Sequence, residues 1–322
     1  MQPSNFNMGD NFKLFTCSAN VPLAKSIADE LGMQLAQAEV RRFSDGEIFV
    51  EVHESVRGCD TYIIQPTCQP TNDSLMELLI MTDALKRSSS NSITAVMPYY
   101  GYARQDRKVQ PRVPITAKLV SDLLTAAGVD RVIAMDLHAS QIQGFFNIPF
   151  DHLYAKPVIL NHIRQRYDLS KLVVVSPDSG GVERARAYAK RLDCSLAIID
   201  KRRLRPNEAQ AMNLIGDVTG KHAVIVDDMI DTAGTLIQSA NVVLDKGAES
   251  VSAACTHGVF SGTAYERIKE SPLKEVICCD TIPLSPLMSQ LSKVTCLSVA
   301  KVFAEAIKRV HMKESVSSLF DE

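Results

Sequence analysis

The sequence predicts an α/β fold made of two similar domains, each a mainly parallel sheet flanked by helices. Short runs of apolar and β-branched residues alternate with helical patterns from one end of the chain to the other, as in TYIIQ, ITAVMP, KLVVVSPD and HAVIVDD. Strands that are apolar at every position need cover on both faces, which favours parallel sheets between helices. The length of 322 residues suits two domains, since a domain has roughly 150 residues.

The chain also matches itself without gaps in two places. Ala24–Arg42 aligns with Ala185–Arg203, and Thr116–His138 aligns with Thr235–His257. Any helix–turn–strand unit gives some matches of this kind by chance, but two matches in the same order favour a duplication. The repeat therefore predicts that the two domains share one architecture.

This duplication gives the expected domain limits. We place the boundary near Leu153–Tyr167, so that residues 1–160 form the N-terminal domain and residues 161–306 form the C-terminal domain. We expect the tail, from about residue 307 to residue 322, to pack on the first domain. In open α/β sheets ligands bind at the carboxyl ends of the strands, so each domain predicts a site at that edge.

The composition is that of a globular protein with no strongly charged partner. Apolar residues make up 46% and charged residues 22% of the chain, and 35 basic against 37 acidic residues give a net charge of -2. No basic excess favours nucleic acid, so an anionic ligand has to be met by local charge. The chain shows no signal core and no membrane-spanning apolar run. The eight cysteines lack CxxC spacing, which is typical of buried thiols in a reducing compartment. We expect a cytoplasmic protein that binds neither nucleic acid nor membrane.

The strongest local signal is VIVDDMIDTAGT, Val224–Thr235. Apolar Val224–Val226 predicts a buried strand, Asp227 and Asp228 stand at its carboxyl end, and Asp231–Thr235 predicts a tight loop that leads into a helix. Backbone N–H groups at a helix N-terminus point towards a phosphate, and the helix dipole favours it. The two carboxylates accept hydrogen bonds from a ribose diol. The alternative, aspartates as helix caps and turn formers, explains one Asp but not three.

Within that loop each residue type has a role. Thr232 and Thr235 add hydroxyl donors, and Gly234 lets the backbone approach a ligand closely. The stretch resembles the phosphoribosyl-binding motif shared by phosphoribosyltransferases and PRPP synthases. Taken alone, this resemblance implies only a site for ribose 5-phosphate or PRPP.

Three further segments carry charge at expected strand ends. Asp136 and His138 follow the apolar strand Val132–Met135, and their spacing predicts side chains on one face. A single histidine at a strand end is usually structural, but its pairing with Asp136 favours function. Asp178 follows the strand Leu172–Val175. Carboxylates and a neutral imidazole suit Mg²⁺.

Two cationic stretches suit polyphosphates. GYARQDRK places three cations within five residues beside aromatic rings, and Arg104 is able to stack on an adenine. Lys201, Arg202 and Arg203 follow the apolar strand Leu196–Ile199. The alternative in both cases is a solvated charged loop.

The motifs in the chain stand in the order and at the spacing of one enzyme family. They are FSDGE (Phe43–Glu47), NDSLMELL (Asn72–Leu79), PYYGYARQDRK (Pro98–Lys108), DLHASQIQGFF (Asp136–Phe146), SPDSGG (Ser176–Gly181) and IIDKRR (Ile198–Arg203). With Val224–Thr235 they make the chain resemble class I ribose-phosphate pyrophosphokinases from about Lys13 to Phe320. The resemblance implies two phosphoribosyltransferase-like domains and transfer of the β,γ-diphosphate of ATP to the C1 hydroxyl of ribose 5-phosphate. The products would be PRPP, for nucleotide, histidine and tryptophan biosynthesis, and AMP.

The resemblance also implies residue roles. It assigns ATP contacts to Phe43, Asp45, Gly46, Glu47, Arg104 and Gln105, with Phe43 supplied by a neighbouring subunit. It assigns ribose 5-phosphate to Arg203, Asp227, Asp228, Asp231, Thr232, Ala233, Gly234 and Thr235. It implies Mg²⁺ as cofactor, near Asp136, His138 and Asp178. Catalysis would depend on Lys201, Arg203 and His138: the first two lie on a loop that closes over the diphosphate, and His138 assists the proton or the leaving group.

Assembly and control follow from the same resemblance, which implies a homohexamer regulated by phosphate and ADP. Phe43 lies in a polar stretch where an exposed aromatic has no obvious use within one chain. The resemblance points to an effector site formed by Arg57, Ser88–Ser90 and the C-terminal residues Ser315, Ser317 and Phe320. The alternative for that end of the chain is a frayed polar tail.

Two positions depart from the family pattern. Asn147 stands where the family usually has Asp, so we leave it out of the metal ligands. Ala233 stands where Gly is frequent, and because alanine favours ordinary backbone angles we expect a slightly stiffer loop. Two other functions stay open on sequence alone: an inert regulatory subunit associated with PRPP synthase, and a phosphoribosyltransferase.

Overall fold

A computed structural model describes Gly9, residues 11–202 and residues 211–319. The chain divides into two compact units, one formed by Met1–Tyr154 with Thr281–Pro283 and Ser298–Glu322, the other by Ala155–Asp280 with Leu284–Leu297. Each unit contains a mainly parallel sheet and flanking helices, which confirms the predicted fold class. No helix in the described part of the chain combines the length and the apolar character that crossing a bilayer requires.

The first unit is built around a parallel sheet of five strands in the order β1-β4-β5-β6-β7. A separate antiparallel hairpin, β2–β3, packs on the core through the half-buried side chains of Val40, Val50 and Val52. In chain order the elements are β1 (Phe12–Thr16), α1 (Val21–Glu30), β2 (Ala38–Arg42), β3 (Ile48–Val52), β4 (Asp60–Ile64), α2 (Thr71–Arg87), β5 (Ser92–Met97), α3 (Thr116–Ala127), β6 (Arg131–Met135) and β7 (Phe150–Leu153).

The second unit has a sheet of seven strands in the order β10-β9-β8-β11-β12-β13-β14. All neighbours are parallel except β9 and β10, which form an antiparallel pair. Its elements are α4 (Lys156–Arg166), β8 (Leu172–Ser176), α5 (Val182–Leu192), β9 (Ser195–Arg202), β10 (Ala211–Ile215), β11 (His222–Ile230), α6 (Gly234–Asp245), β12 (Ser250–Gly258), α7 (Ala264–Glu270), β13 (Val276–Cys279), α8 (Pro286–Ser289) and β14 (Val294–Leu297).

The central strands are buried because both faces of each sheet are covered by helices. All five residues of β8 are buried, as are Thr61–Ile64 in β4. Such strands lack the alternation of a half-exposed sheet and read as continuous apolar runs, which is how the sequence signalled them. Helix ends follow local rules: α3 ends at Gly128, whose φ of 114° suits a residue without a Cβ.

The last helix, α9 (Ala300–His311), belongs to the first unit. It packs against α1, and the His311 ring lies 5.0 Å from that of Phe12. His311 Nδ1 also lies 3.4 Å from the Asp60 carboxylate at the start of β4. This unit thus takes in the chain from Ser298 onward, whereas the sequence suggested only the segment from about residue 307.

The two units repeat one strand order, with β1-β4-β5-β6-β7 equivalent to β8-β11-β12-β13-β14. In each, the first strand and helix are followed by an antiparallel hairpin, β2–β3 or β9–β10. The alignment of Ala24–Arg42 with Ala185–Arg203 agrees with this equivalence in its described part. The second alignment is wrong by one strand–helix step, because α6–β12 is equivalent to α2–β5 and not to α3–β6. Helix–strand units of a parallel sheet share one apolar pattern, so sequence similarity does not distinguish neighbouring units.

Candidate active site

The carboxyl edge of the second sheet opens between β8 and β11. Their pairing ends at Ile225 opposite Val175, whereas β11 stays paired with β12 as far as Ile230 opposite Gly258. Asp227 and Asp228 therefore lie inside β11 and not at its end, which corrects the sequence prediction. After β8, the chain adds β9 and β10 on one side of this strand and then returns to place β11 on its other side. This edge is a topological switch point, where α/β sheets bind ligands.

A cavity of about 250 Å³ lies at this edge. It is lined by Asp178 after β8, by Asp227 in β11 and by the loop Asp231–Thr235, which we call the phosphate loop. Apolar lining comes from strand residues such as Ile225 and Ala253. The structure thus brings together one predicted metal ligand and most of the predicted sugar-phosphate residues, while Asp228 lies outside the lining.

The two aspartates of β11 share one cation that the sequence did not reveal. Arg184 Nη1 lies 3.0 Å from Asp227 Oδ1 and 3.2 Å from Asp228 Oδ1. Asp228 is nearly buried, with 5% of its side chain exposed, against 36% for Asp227. Burial and the neighbouring Asp228 carboxylate raise the pKa of Asp227 to about 7, against the opposing effect of Arg184. A single arginine in the first turns of an amphipathic helix carries no sequence signal.

The middle residue of the phosphate loop, Ala233, has a left-handed backbone conformation. Ala233 has φ 60° and ψ 0° and forms the N-cap of α6, which has no side-chain cap. The expectation of ordinary angles at Ala233 was wrong, because the loop must reverse direction before the helix begins. The left-handed conformation costs an L-residue about 1–2 kcal/mol. The first N–H groups of α6 have no partner within the helix and suit an anion.

Two residues beyond the predicted segments contact this loop. The Ser261 hydroxyl donates to Asp231 Oδ1, and Arg267 Nη1 donates to the Thr232 carbonyl at 2.8 Å. Ser261 follows β12 and Arg267 lies on α7. Neither stands in a motif, so only the fold brings them to the loop.

In the first unit, Phe43–Glu47 forms the turn between β2 and β3. The Phe43 N–H donates to the Glu47 carbonyl at 2.8 Å, and the Asp45 carboxylate accepts from the Glu47 N–H at 3.1 Å. Gly46 has φ 96°, which a residue without a Cβ adopts readily. Asp45 therefore has a structural role in the turn besides its predicted one.

Phe43 is 44% exposed at the tip of this hairpin. Its ring nevertheless lies edge-on to Phe49, at 5.5 Å between centroids, and 5.0 Å from the Arg41 guanidinium carbon. The expectation of no use within the chain was therefore incomplete. The residue is nevertheless exposed, so its ring offers a surface for stacking.

Arg104 and Gln105 lie in the segment after β5, at the carboxyl edge of the first sheet. The Gln105 N–H donates to the Tyr102 carbonyl at 2.9 Å, and the Gln105 carbonyl accepts from Ala117 N–H at 3.2 Å. The Thr116 hydroxyl also donates to the Gln105 side chain. This segment is therefore fixed to the start of α3, and Arg104 is exposed.

Asp136 and His138 follow β6 at the same edge of the first sheet. The strand ends at Met135 and Asp136 has φ 39°, so the alternation of a strand does not continue to His138. The prediction that both side chains share one strand face was wrong for that reason. Between them, the Leu137 N–H donates to His152 Nε2 at 2.9 Å, while the His138 side chain is exposed.

Of the remaining predicted residues, Asp178 lies in the turn after β8 and Lys201 lies in β9. Asp178 Oδ1 accepts from the Gly181 N–H at 3.0 Å, which fixes the turn after β8. Lys201 lies within β9 and pairs through its backbone with Met212, so the prediction that it follows the strand on a loop was wrong, because pairing with β10 extends β9 to Arg202. Arg203 and Phe320 lie outside the described residues.

The predicted metal ligands are divided between the units, with Asp136 and His138 in the first and Asp178 in the second. Among described residues, a group of three potential ligands with all donor atoms within 4.8 Å is formed by Glu39, Glu51 and His53. These residues are exposed on the β2–β3 hairpin and were not predicted.

Known proteins resemble this chain over nearly its whole length. A family model described as the N-terminal domain of ribose phosphate pyrophosphokinase matches residues 12–128, and one described as the phosphoribosyl synthetase-associated domain matches residues 201–321. Two curated relatives are both named ribose-phosphate pyrophosphokinase. That of Fusobacterium nucleatum is 54% identical, covering 98% of this chain and 99% of the relative, and that of Caldanaerobacter subterraneus is 57% identical, covering 97% and 98%.

A solved structure supports the same assignment. The crystal structure of phosphoribosylpyrophosphate synthetase from Mycobacterium smegmatis is 43% identical and has a TM-score of 0.90, covering 94% of this chain and all of that one. The resemblance inferred from the motifs is thereby confirmed. Because relatives more than half identical extend across nearly the whole chain, the chain belongs to the ribose-phosphate pyrophosphokinase family of enzymes.

Proposed function

We propose that this enzyme transfers the β,γ-diphosphate of ATP to the C1 hydroxyl of ribose 5-phosphate, giving PRPP and AMP. The observation that carries the proposal is the cavity at the switch point of the second sheet, where Asp178, Asp227 and the phosphate loop meet. Its location, its carboxylates and its unpaired helix N–H groups suit a sugar phosphate. The names of its relatives favour the same reaction.

Ribose 5-phosphate is bound in the second unit. The phosphate loop, Asp231–Thr235, receives the 5-phosphate, while Asp227 and Asp228 accept hydrogen bonds from the ribose diol. Asp227 is the better placed of the two, because it lines the cavity and Asp228 is almost fully buried. Arg203 adds a cation, by resemblance.

ATP is bound by the hairpin turn and by the segment after β5. Phe43 stacks on the adenine, Asp45, Gly46 and Glu47 contact the nucleotide, and Arg104 and Gln105 bind its phosphates. The exposed half of the Phe43 ring and the fixed backbone of Gln105 support these roles. Phe43 serves the site of a neighbouring subunit in a homohexamer.

The site suits Mg²⁺ as the cofactor. Asp178 offers a carboxylate in the cavity beside Asp227, and oxygen donors at a phosphate site are what this ion prefers. By resemblance, Asp136, His138 and Asp178 are the residues that would hold it. When bound, Mg²⁺ neutralises charge on the phosphate oxygens of ATP.

The chain's own contribution is to position the reactants and to balance charge. The anomeric hydroxyl attacks the β-phosphorus in line, the bond to the α-phosphate oxygen breaks, and AMP leaves. Lys201, Arg203 and Arg104 stabilise the charge on the transferring group. Positioning and charge stabilisation of this kind account for most of the rate enhancement in phosphoryl transfer. His138 takes the hydroxyl proton or assists the leaving group.

Phosphate and ADP regulate the enzyme at a site in the first unit. Arg57 Nη1 donates to the Ser89 hydroxyl at 3.3 Å, so these two predicted residues are neighbours. Arg309 Nη1 donates to the Ser315 carbonyl at 3.2 Å, which holds the start of the tail against α9. Removing residues 315–322 should change the phosphate and ADP response more than the basal rate, and unchanged titration curves would exclude the tail.

The decisive test is an assay of AMP release in the presence of ATP and Mg²⁺. Release that depends on ribose 5-phosphate, with PRPP formed in equal amount, is the expected result. An inert regulatory subunit would release no AMP. A phosphoribosyltransferase would instead consume PRPP with a base and would need no ATP.

A further inference from the structure

Arg267 on α7 contacts the phosphate loop from outside every predicted motif. Its Nη1 donates to the carbonyl of Thr232 at 2.8 Å. The same nitrogen is only 3.1 Å from where a Cβ on Gly234 would lie, and the guanidinium carbon is 3.6 Å from that point. Arg267 thus touches the loop on both sides of Ala233, and Gly234 provides the room for it.

Arg267 lies in the last turn of α7, where a helix dipole favours a cation, and it brings that charge to the phosphate loop. The N-terminus of α6 carries a partial positive charge, so a cation beside it is unfavourable when no anion is bound. A phosphate among the N–H groups of the loop reverses the sign of this interaction. The bond to Thr232 also uses only one of the five N–H donors that a guanidinium offers. The position therefore indicates a phosphomonoester dianion as the third participant.

The segment between β12 and α7 holds the start of the same loop. Phe260 N–H donates to the Ile230 carbonyl at 3.0 Å, and the Ser261 hydroxyl donates to Asp231. Arg267 holds the next residue, Thr232, through its carbonyl. A left-handed alanine persists only where its surroundings enforce it, and these contacts fix the loop immediately before Ala233.

We infer that Arg267 is a positioning residue for ribose 5-phosphate. It holds the Thr232–Gly234 backbone with its N–H groups towards the 5-phosphate, and its charge adds to the attraction for the dianion. This inference rests on the proposed role of the phosphate loop. Because the 5-phosphate does not react, Arg267 acts on substrate binding and not on the transfer itself.

The test combines steady-state kinetics with calorimetric titration of ribose 5-phosphate into the full-length protein. Arg267→Gln should raise the KM and Kd for ribose 5-phosphate by about tenfold or more, the value of a charge-assisted contact. Its KM for ATP should stay within about twofold and its kcat within about threefold, which separates a binding role from general damage. Arg267→Lys keeps the charge but loses the planar fork, so it should recover part of the affinity.

The matched control is Lys269→Gln, which removes a cation from the same helix at a position that stacks on Tyr265. It should bind ribose 5-phosphate as the wild type does. The inference would be overturned if Lys269→Gln lost as much affinity for ribose 5-phosphate as Arg267→Gln does. It would also be overturned if Arg267→Gln lost affinity for ATP and for ribose 5-phosphate equally. If Arg267→Gln does not fold, the lysine variant decides, and wild-type affinity in it would overturn the inference as well.

Thr235→Ala separates this inference from the proposed function. Loss of ribose 5-phosphate binding in Thr235→Ala, together with normal binding in Arg267→Gln, contradicts the role of Arg267 alone. Normal binding in both variants contradicts the assignment of the loop itself.

Discussion

The same edge of the sheet is open in one unit of this molecule and filled in the other. In the second unit, the gap between β8 and β11 is the cavity lined by Asp178 and Asp227. In the first unit, the equivalent strands are β1 and β4, and the residues that follow them meet Glu77 of α2. The Ser18 hydroxyl donates to the Glu77 carboxylate at 2.7 Å, and Gln65 Nε2 donates to it at 3.0 Å.

This polar network is buried. Glu77 is 3% exposed and Gln65 is fully buried. The Gln65 side chain also accepts from the Ala19 N–H at 3.2 Å, which ties the turn after β1 to the turn after β4. One strand order thus supports a binding site in one unit and a structural network in the other. Function follows the side chains at the edge and not the fold.

The hairpins of the two units differ in a similar way. β9–β10 continues the main sheet beside β8, whereas β2–β3 forms a sheet of its own. In the β9–β10 hairpin, strand β9 ends in Lys201 and Arg202. The turn of the β2–β3 hairpin, Phe43–Glu47, carries an aromatic ring and two carboxylates. In the proposed mechanism, one hairpin acts on the transferring diphosphate and the other binds the nucleotide.

The largest expected effect tests this difference between the hairpins. Lys201→Ala should lower kcat by more than about 100-fold, because it removes a charge that acts on the transferring group, while the Kd for ribose 5-phosphate stays unchanged. AMP release and calorimetry measure the two quantities. Lys171→Ala, at an exposed position of the same unit, is the control. A kcat within about tenfold of wild type would mean that Lys201 does not act on the transferring group.

Asp227→Asn tests whether the same carboxylate at the open edge binds ribose 5-phosphate and destabilises the folded protein. The variant should raise the KM for ribose 5-phosphate about tenfold, since the amide accepts fewer hydrogen bonds from the diol. The pKa of Asp227 is raised to about 7, so the folded state holds its proton more tightly than the unfolded state. Stability attributable to this group is therefore present at low pH and is lost as pH rises through about 7.

The variant should accordingly be more stable than the wild type at pH 8 and nearly equal to it at pH 4. The gain is on the order of 1 kcal/mol, because the side chain is 36% exposed and water screens the interaction. Urea unfolding at the two pH values measures it. A loss of stability at pH 8 would mean that Arg184 outweighs the repulsion from Asp228.

Glu77→Gln tests the filled edge. The amide nitrogen of glutamine presents donors to the Ser18 hydroxyl and the Gln65 amide, so the free energy of unfolding should fall by about 1–3 kcal/mol. The KM values of the folded variant should not change, because neither substrate is proposed to bind between β1 and β4. Asp83→Asn on the same helix breaks an exposed pair with Arg87 and should leave the free energy of unfolding nearly unchanged. A selective rise in either KM would show that a substrate binds between β1 and β4.

The sequence was most informative where a residue's role is local. The alternation of apolar runs predicted both sheets, and Val224–Thr235 located the phosphate loop. The sequence failed where distant pairing decides the outcome. β11 runs past Asp227 because β12 continues beside it, and that length is not encoded in β11 itself.

Arg184, Ser261 and Arg267 were missed for a related reason. Each is an ordinary polar residue in its own segment, and its role appears only when another element reaches it. The register of the second internal match failed because neighbouring helix–strand units have the same apolar pattern. Contacts between elements, and not the elements themselves, are what one sequence does not reveal.

The smallest expected effect concerns Ala233, where the backbone itself is strained. Ala233→Gly removes the cost of a left-handed L-residue, about 1–2 kcal/mol, but adds conformational freedom to the unfolded chain worth about 0.4–1 kcal/mol. The variant should therefore be more stable by roughly 0.5–1 kcal/mol, the difference between those terms. Thermal and urea unfolding measure the change.

The matched control is Ala187→Gly in the middle of α5, within the same unit. There the backbone is helical, so glycine should lower the free energy of unfolding by about 1 kcal/mol, the opposite sign. If both variants lose stability equally, the loop around Ala233 does not hold the strained conformation in solution. If Ala233→Gly gains stability but weakens ribose 5-phosphate binding, the alanine keeps the loop ordered for its ligand at the expense of stability.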